Sequence, residues 1–322
     1  MKNVKFSVQL SARCSSLEDW ETLKSIALEC EELGYHSIWF GDHLATGESR
    51  LECWTILSAL STITKKIRLG PLVLCNNFRN PALLAKMAAS LDVISKGRLE
   101  FGIGAGGNRE EHEAYGFGLP EPRVRIGRLK EGVEIIRRMW TEEKPSYHGK
   151  YYDIRDVLCE PKPLQKPYPP ITIGGGGEKR TLKVVAAYAD RWNAFGSLDQ
   201  YLQKMKILER YCYQIGRDPQ EIEKSYMFPL ALYRDESELM QRMKKDYESM
   251  PMGRDISFEK WMDMTRSRYI LGTPDEWLEK ICEIIDLGIT HFVIGSERRV
   301  TNKRTEDLRL FAEKVISQLN TT

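Results

Sequence analysis

Two places in this 322-residue sequence hold groups suited to chemistry. In Trp39-Phe40-Gly41-Asp42-His43-Leu44 an Asp–His pair stands where a short apolar run gives out. Imidazole titrates near neutrality, so His43 can give or take a proton. Asp42 can orient the site or bind a ligand group; the plainer alternative is that it caps the local turn and leaves His43 solvated. The second place is Gly174, Gly175, Gly176 and Gly177, followed directly by Glu178-Lys179-Arg180-Thr181. Consecutive glycines bare their backbone N–H groups, and a helix start follows, a combination that binds anions and phosphate above all. No Gly-Lys-Ser/Thr follows, so this is not a Walker A loop. A rim turn with no ligand is the other reading, but so many glycines cost chain entropy that a mere turn does not need. His112 is an outside candidate, His36 and His148 lie away from this region, and His291 reads as a packed residue. No His-x-x-x-His spacing occurs, so no metal site is expected, and no Gly-x-Ser-x-Gly turn offers a nucleophile.

Such groups act only if a scaffold brings them together, and the chain alternates strand-like and helix-like segments from end to end. Strand candidates fall at residues 4–10, 37–40, 67–74, 98–104, 171–175, 191–195, 225–233 and 290–295. Helical spacing of Leu17, Trp20, Leu23, Ile26, Ala27 and Cys30 predicts a helix after the first, with Gly34 as its stop. Further helices are expected over about 52–64, 81–94 with proline at its start, a long region ending near Trp140, from Glu178, over 198–215 and 236–264, from Thr273-Pro274, and over 305–319. Several strand candidates are largely apolar, as parallel strands buried on both faces are. Eight βα units in one chain of this length predict an α/β fold, a (β/α)8 TIM barrel, as a single domain over 1–322. An irregular excursion at about 141–170, proline-rich from Cys159 to Pro170, and a second insertion at about 245–268 interrupt it. A doubly wound sheet with a second domain is the alternative; the absence of a linker or composition break argues against it.

In a TIM barrel the active site forms where strands end and βα loops begin. Asp42 and His43 then stand at the end of strand two, and Cys75-Asn76-Asn77 at the end of strand three. Gly104 to Asn108, with Glu110 and Glu111 soon after, end strand four. The glycine run ends strand five, and Ser296-Glu297-Arg298 end strand eight.

Bulk properties narrow the function class. The chain is 42% hydrophobic and 29% charged, ordinary globular composition. Its 48 basic and 46 acidic residues form no block or stripe, so nucleic acid is not an expected partner. No run approaches the roughly 18 apolar residues of a membrane span, and the N-terminus lacks the apolar stretch of a signal peptide. The 7 cysteines are scattered, odd in number and never Cys-x-x-Cys, which suggests a reducing cytoplasm and argues against structural zinc.

One motif misleads. Gly102, Gly104 and Gly107 spell Gly-x-Gly-x-x-Gly after a strand, the dinucleotide fingerprint. It lies in the fourth βα unit, and the acidic residue needed about 20 positions on is replaced by Arg125-Ile126-Gly127-Arg128. The glycines either turn the chain at a barrel rim or, at Gly106 and Gly107, let the backbone approach a different ligand.

Seven motifs then come in family order: LGYHSIWFGDHL, TKKIRLGPLVLCNNFRNP, LDVISKGRLEFGIGAGGNREEHEAYGF, RLKEGVEIIRRMW, PPITIGGGG, ADRWNAF and GTPDEWLEKICEIIDLGITHFVIG. Together they resemble the bacterial luciferase-like superfamily of flavin and deazaflavin oxidoreductases, over about residues 4–295. The resemblance implies a TIM barrel with an insertion and a cofactor, FMN or the deazaflavin coenzyme F420, across its mouth. It implies that the glycine run holds the cofactor phosphate. It also implies a bulge at the end of strand three, at Leu72-Val73, often with a non-proline cis peptide, and places Cys75 and Asn76 next to the ring. Gly-Asp-His at 41–43 is more similar to the F420 branch; many FMN monooxygenases have a Glu-His-His-like stretch there. The pattern from Gly104 to Gly116 also resembles that branch, with Gly107 where Trp often stands. In the sugar-phosphate dehydrogenase members a catalytic Glu follows the glycines directly. Gly107 takes that place, so glucose 6-phosphate is not the expected substrate, and Glu111 or Glu110 is the nearest substitute.

The reading that follows is an F420-dependent oxidoreductase. It would transfer a hydride to or from a small substrate such as an alcohol or carbonyl compound, or a methylene-pterin. His43 and Glu111 are the catalytic candidates. Loops from the 141–170 excursion and the 245–268 stretch would cover the substrate. Asp42, Leu72, Val73, Cys75, Asn76, Gly106, Gly107 and the glycine run are the candidate cofactor contacts. An FMN-dependent monooxygenase using reduced flavin and oxygen, and a non-catalytic flavin-binding barrel, are the alternatives. The family usually forms homodimers, and Leu57, Leu60 and Ile63 fit either such a face or the core.

Overall fold

The computed structural model describes residues 4–44, 49–229, 231–249, 256–268, 271–295 and 302–321. Eight parallel strands form the barrel: β1 (Lys5–Leu10), β2 (Ser37–Phe40), β3 (Arg68–Pro71), β4 (Phe101–Gly104), β5 (Ile171–Gly174), β6 (Arg191–Phe195), β7 (Glu223–Pro229) and β8 (His291–Gly295). The sheet runs β3-β2-β1-β8-β7-β6-β5-β4 and ends on the short segment Leu74–Cys75. Arg68–Pro71 pairs with β2, whereas Leu74–Cys75 pairs with β4. The third strand is therefore split, and its two halves close the barrel; a bridge between Leu69 and Leu99 completes the join.

The split departs from the continuous strand expected over 67–74. The Leu72–Val73 peptide is cis, as the resemblance implied. The Val73 side chain drops into a hollow left by glycines. A Cβ on Gly104 or on Gly174 would lie 2.8 Å from a Val73 methyl, and one on Gly102 would lie 2.1 Å from the Pro71 carbonyl oxygen. An apolar run gives no local sign of such a break, because the glycines that permit it come from other strands.

Alternation along the strands separates two interiors. Outward residues pack under the helices: Trp192 stacks on Tyr201 with centroids 4.5 Å apart, and Phe101 meets Trp140 at 5.1 Å. Inward residues are charged at the N-terminal end of the barrel. Arg191 reaches Glu100 at 2.5 Å and Glu223 at 2.5 Å, and Lys5 reaches Glu223 at 2.7 Å. Arg68 also pairs with Glu100. One layer up, Ser7 Oγ lies 2.7 Å from both Ser37 Oγ and His291 Nε2. Burial, with the Arg191 charge adding to it, drives His291 well below the ordinary histidine range, so it is a neutral packed residue. Above it Trp39, Leu72 and Val293, flanked by Val73 and Met227, make an apolar floor under the mouth.

The main helices among the described residues are α1 (Leu17–Glu32), α2 (Cys53–Ile63), α3 (Pro81–Ile94), α4 (Arg109–Ala114), α5 (Pro122–Thr141), α6 (Thr181–Tyr188), α7 (Leu198–Gln214), α8 (Glu236–Ser249), α9 (Phe258–Arg268), α10 (Pro274–Asp286) and α11 (Asn302–Phe311), the last continued by further helical turns over Ala312–Ile316 and Ser317–Thr321. Asn80 caps α3 through Ala82 N–H with Pro81 at its start, as the sequence predicted. The helix expected from Glu178 begins at Thr181, so the glycine run is followed by a turn before it. The region expected as one helix over 236–264 is two, α8 and α9. The strand expected over 225–233 ends at Pro229, and Ala231–Leu232 pairs instead with Leu271–Gly272. Leu57 and Leu60 are fully buried in this chain's own core, which leaves Ile63 alone of the three exposed.

The 141–170 excursion was expected to lend loops to the mouth. It is instead strapped to the barrel side. A hairpin pairs Tyr147–His148 with Asp153–Ile154, and Glu131 of α5 accepts the N–H groups of Lys150, Tyr151 and Tyr152. Farther on, Gln165 binds Asp92 of α3 at 2.7 Å and the Leu99 carbonyl at 2.8 Å. No described helix is long and apolar enough to cross a membrane.

Candidate active site

The loop after β2 carries Asp42 and His43 to the barrel mouth. Asp42 is 5% exposed, so its charge needs partners. Arg79 supplies two, Nη1 to Oδ2 at 2.7 Å and Nη2 to Oδ1 at 2.9 Å. The Cys75 N–H gives a third at 2.9 Å. Arg79 also meets Glu52 at the start of α2 at 2.5 Å. Burial by itself would lower the Arg79 pKa, but the two carboxylates outweigh it and keep the guanidinium charged. With every oxygen engaged, Asp42 is a strut between strand ends and not an open ligand group.

His43 lies at the rim with its side chain 43% exposed. Its Nδ1 is 3.1 Å from Glu111 Oε2 and 3.2 Å from Oε1. Glu111 is 2% exposed and also accepts the Leu44 N–H at 2.8 Å. Of the acidic pair on α4, Glu111 turns inward and Glu110 faces solvent. In the neutral ring, a carboxylate on Nδ1 makes that nitrogen the N–H donor, which puts the lone pair on Nε2.

The other candidates sort by where they point. Cys75 packs against Gly106 and His112: a Cβ on Gly106 would lie 2.3 Å from Cys75 Sγ, and Sγ is 3.6 Å from His112 Nε2. Gly106 has φ +70° and must be glycine on both grounds. Burial pushes the Cys75 thiol up to about 11, so it is a protonated, unreactive group. Asn76 is 1% exposed and turns under α5, its Nδ2 giving a hydrogen bond to Tyr152 Oη at 3.1 Å, close to Gly132. His112 Nδ1 donates to the Asn108 carbonyl at 2.6 Å, and the ring is buried. Gly107 lies by the Arg125 guanidinium, which binds the Gly106 carbonyl.

At the end of β5, beside β4, Gly175 has φ +127° and gives its N–H to the Asn193 carbonyl at 3.1 Å, while Trp192 Nε1 binds the Gly175 carbonyl at 2.9 Å. Beyond it the chain carries no side chains for two residues. The position of a Cβ on Gly176 is 2.8 Å from Lys204 Nζ, and that on Gly177 is 2.7 Å from Thr181 Oγ1. Lys204 comes from α7 and lays its ammonium over the glycine run. Three participants were not identified from sequence: Arg79, Glu52 and Lys204. A buried Asp at a strand end calls for a cation, which was the available signal for Arg79; nothing local marks which of many lysines is Lys204.

The luciferase-like monooxygenase family model matches residues 4–306. The chain belongs to the luciferase-like monooxygenase family. Among the relatives of this family member, the F420-dependent glucose-6-phosphate dehydrogenase of Microbacterium testaceum is 27% identical over 310 residues, 90% of each chain. A solved structure of an F420-dependent secondary alcohol dehydrogenase, in complex with an F420–acetone adduct, has a TM-score of 0.78 at 19% identity and covers 98% of this chain and 99% of its own. The oxygenating constituent of 3,6-diketocamphane monooxygenase from Pseudomonas putida, in complex with FMN, gives 0.77 at 17% identity, with 98% and 99% covered. The last two likenesses establish the luciferase-like barrel fold.

Proposed function

We propose that the protein is a coenzyme F420-dependent oxidoreductase acting on a small organic substrate, an alcohol or carbonyl compound, with His43 moving the proton. The observation that carries this reading is the His43–Glu111 contact, made between the loops after β2 and β4 at the same end of the barrel as the glycine run after β5. The relative named for F420, matched over 90% of both chains, supports F420 over FMN.

The residues fit such a cofactor. The side-chain-free backbone at Gly176 and Gly177 with the Lys204 ammonium suits its phosphate, and the floor of Trp39, Leu72 and Val293 suits a flat ring. A deazaflavin bound there supplies a ring carbon that accepts or donates a hydride.

The chain's own residues handle the proton. In the oxidising direction His43 Nε2 takes the hydroxyl proton of an alcohol, and the buried Glu111 carboxylate stabilises the positive imidazolium. In the reducing direction the same nitrogen gives a proton to the nascent alkoxide. Asp42, Arg79 and Glu52 keep the His43 loop and the strand-three bulge at fixed separation.

The test is His43→Ala. The variant is expected to bind F420 within twofold of the parent, followed by cofactor fluorescence, and to lose turnover by about 10²–10⁴-fold. Full activity would overturn the proton-transfer role. A parallel titration in which FMN bound and F420 did not would replace the cofactor reading.

A further inference from the structure

We infer that Phe195 is a specificity-determining residue and that the substrate is an uncharged molecule with an apolar body, an aryl or alkyl ketone or its alcohol, and not a sugar phosphate. The inference rests on the function proposed above. β6 ends at Phe195, and alternation puts its side chain on the inward face with Arg191 and Asn193. At the mouth it is 71% exposed. A single exposed ring is unremarkable on a convex surface. This one is not isolated, because register sets it beside Met227 of β7, and Met227 packs on the floor of Trp39, Leu72 and Val293. Phe195 therefore stands next to Met227 as the outer end of an apolar face that begins at the floor, at the end of the barrel where an organic ligand would enter. It is held there: Gly196, at φ +128°, turns the chain, and Tyr226 Oη donates to the Gly196 carbonyl at 2.9 Å.

Charge argues the same way. A sugar phosphate needs cations beyond those that hold the cofactor. Of the cations near the mouth, Arg79 is taken by Asp42 and Glu52, Arg125 by the Gly106 and Pro120 carbonyls, and Lys179 and Arg180, exposed just after the glycine run, lie on the side assigned to the cofactor phosphate. Lys204 lies on the glycine run. The ends of β6 and β7 contribute Phe195 and Met227, two apolar side chains, to the mouth.

The experiment compares the parent with Phe195→Ser and Phe195→Leu. Binding of 4-phenyl-2-butanone to the cofactor-free protein is measured by ligand-observed NMR, F420 binding by fluorescence, and turnover with 4-phenyl-2-butanol and with glucose 6-phosphate. Phe195→Ser is expected to weaken phenylbutanone binding about tenfold, the scale of a lost apolar contact, and to raise KM with kcat little changed. F420 binding stays within twofold, Phe195→Leu restores most of the loss, and glucose 6-phosphate is not turned over. The inference is overturned by glucose 6-phosphate turnover, by absent or Phe195-independent phenylbutanone binding, by no turnover of the phenyl alcohol with F420 bound, or by an effect that runs through F420 affinity. Phenylbutanone binding that depends on Phe195 in a protein that does not bind F420 would overturn the proposed cofactor and leave the apolar site standing.

Discussion

Arg79 grips Asp42 through two parallel hydrogen bonds, at 2.7 and 2.9 Å, and so ties the loop after β2 to the segment after the split third strand. Planar, two-pronged pairing of this kind is specific to arginine. Removing the guanidinium leaves a buried carboxylate with one backbone donor. Arg79→Ala is expected to cost about 3–5 kcal/mol of stability, read from chemical denaturation. Arg79→Lys should recover only part of that, because a point charge cannot satisfy both oxygens. Equal stability of the lysine variant and the parent would show that geometry is unimportant there.

Glu111 works through His43. Glu111→Gln keeps the size of the side chain and its hydrogen bond to Leu44 N–H, but removes the anion that stabilises an imidazolium. Turnover should fall about tenfold or more, with KM and F420 affinity nearly unchanged. The double variant with His43→Ala should lose no more than His43→Ala alone, since groups that act as a unit are not additive. Additive losses would place Glu111 in direct contact with substrate.

Lys204 is assigned to the anion at the glycine run. Lys204→Ala should weaken F420 binding about tenfold, in line with the loss of one charge-assisted hydrogen bond, and the difference from the parent should narrow in high salt. An unchanged dissociation constant would leave the glycine N–H groups as the whole phosphate site. The apparent preference for phenylbutanone should not move.

The charged plug at the other end of the barrel predicts an acid response. Burial pushes the Glu100 carboxyl up, but Arg191, His36 and Arg68 outweigh it and hold it well below its ordinary value of 4.5. Glu223 is held down in the same direction, burial again being overcome by Arg191 and Lys5. A depressed folded-state value means the stabilisation is fully present above the unfolded value near 4.5 and is lost as pH falls through the folded one. Tm should hold from neutrality to about pH 5 and decline below about 4.5. Glu100→Gln should lower Tm at pH 7 and flatten that acid decline. A decline as steep as the parent's would assign the acid sensitivity to other carboxylates.

Much of this was legible because local pattern and tertiary structure agree. β2 was bounded from sequence at Ser37 and Phe40 and α3 at Pro81 and Ile94, since an apolar run between polar flanks and an Asn-Pro start are short-range signals. The barrel followed from counting such units, and the glycine run and His43 from asking which residues such a barrel puts at its rim. Long-range partners were not legible. Nothing near Lys204 says that α7 passes over Gly176, and nothing in the 67–74 run says that glycines of β4 and β5 leave room for Val73. The 141–170 excursion misled for a related reason. Its prolines mark it as irregular, but only Glu131 and Asp92, on helices elsewhere in the sequence, decide that it lies along the side. Ser296, Glu297 and Arg298, expected at the rim, lie outside the described residues.

The split third strand has a consequence for how this protein can change over time. Its lower half is hydrogen-bonded to β2 and its upper half to β4, with Leu72-Val73 at the junction. The same residues that shape the floor of the mouth are therefore the seam of the barrel. Most rim positions can be exchanged to suit a new substrate while the fold stands. At this seam an altered floor is also an altered closure, so innovation should enter through the ends of β6 and β7 and leave strand three as inherited.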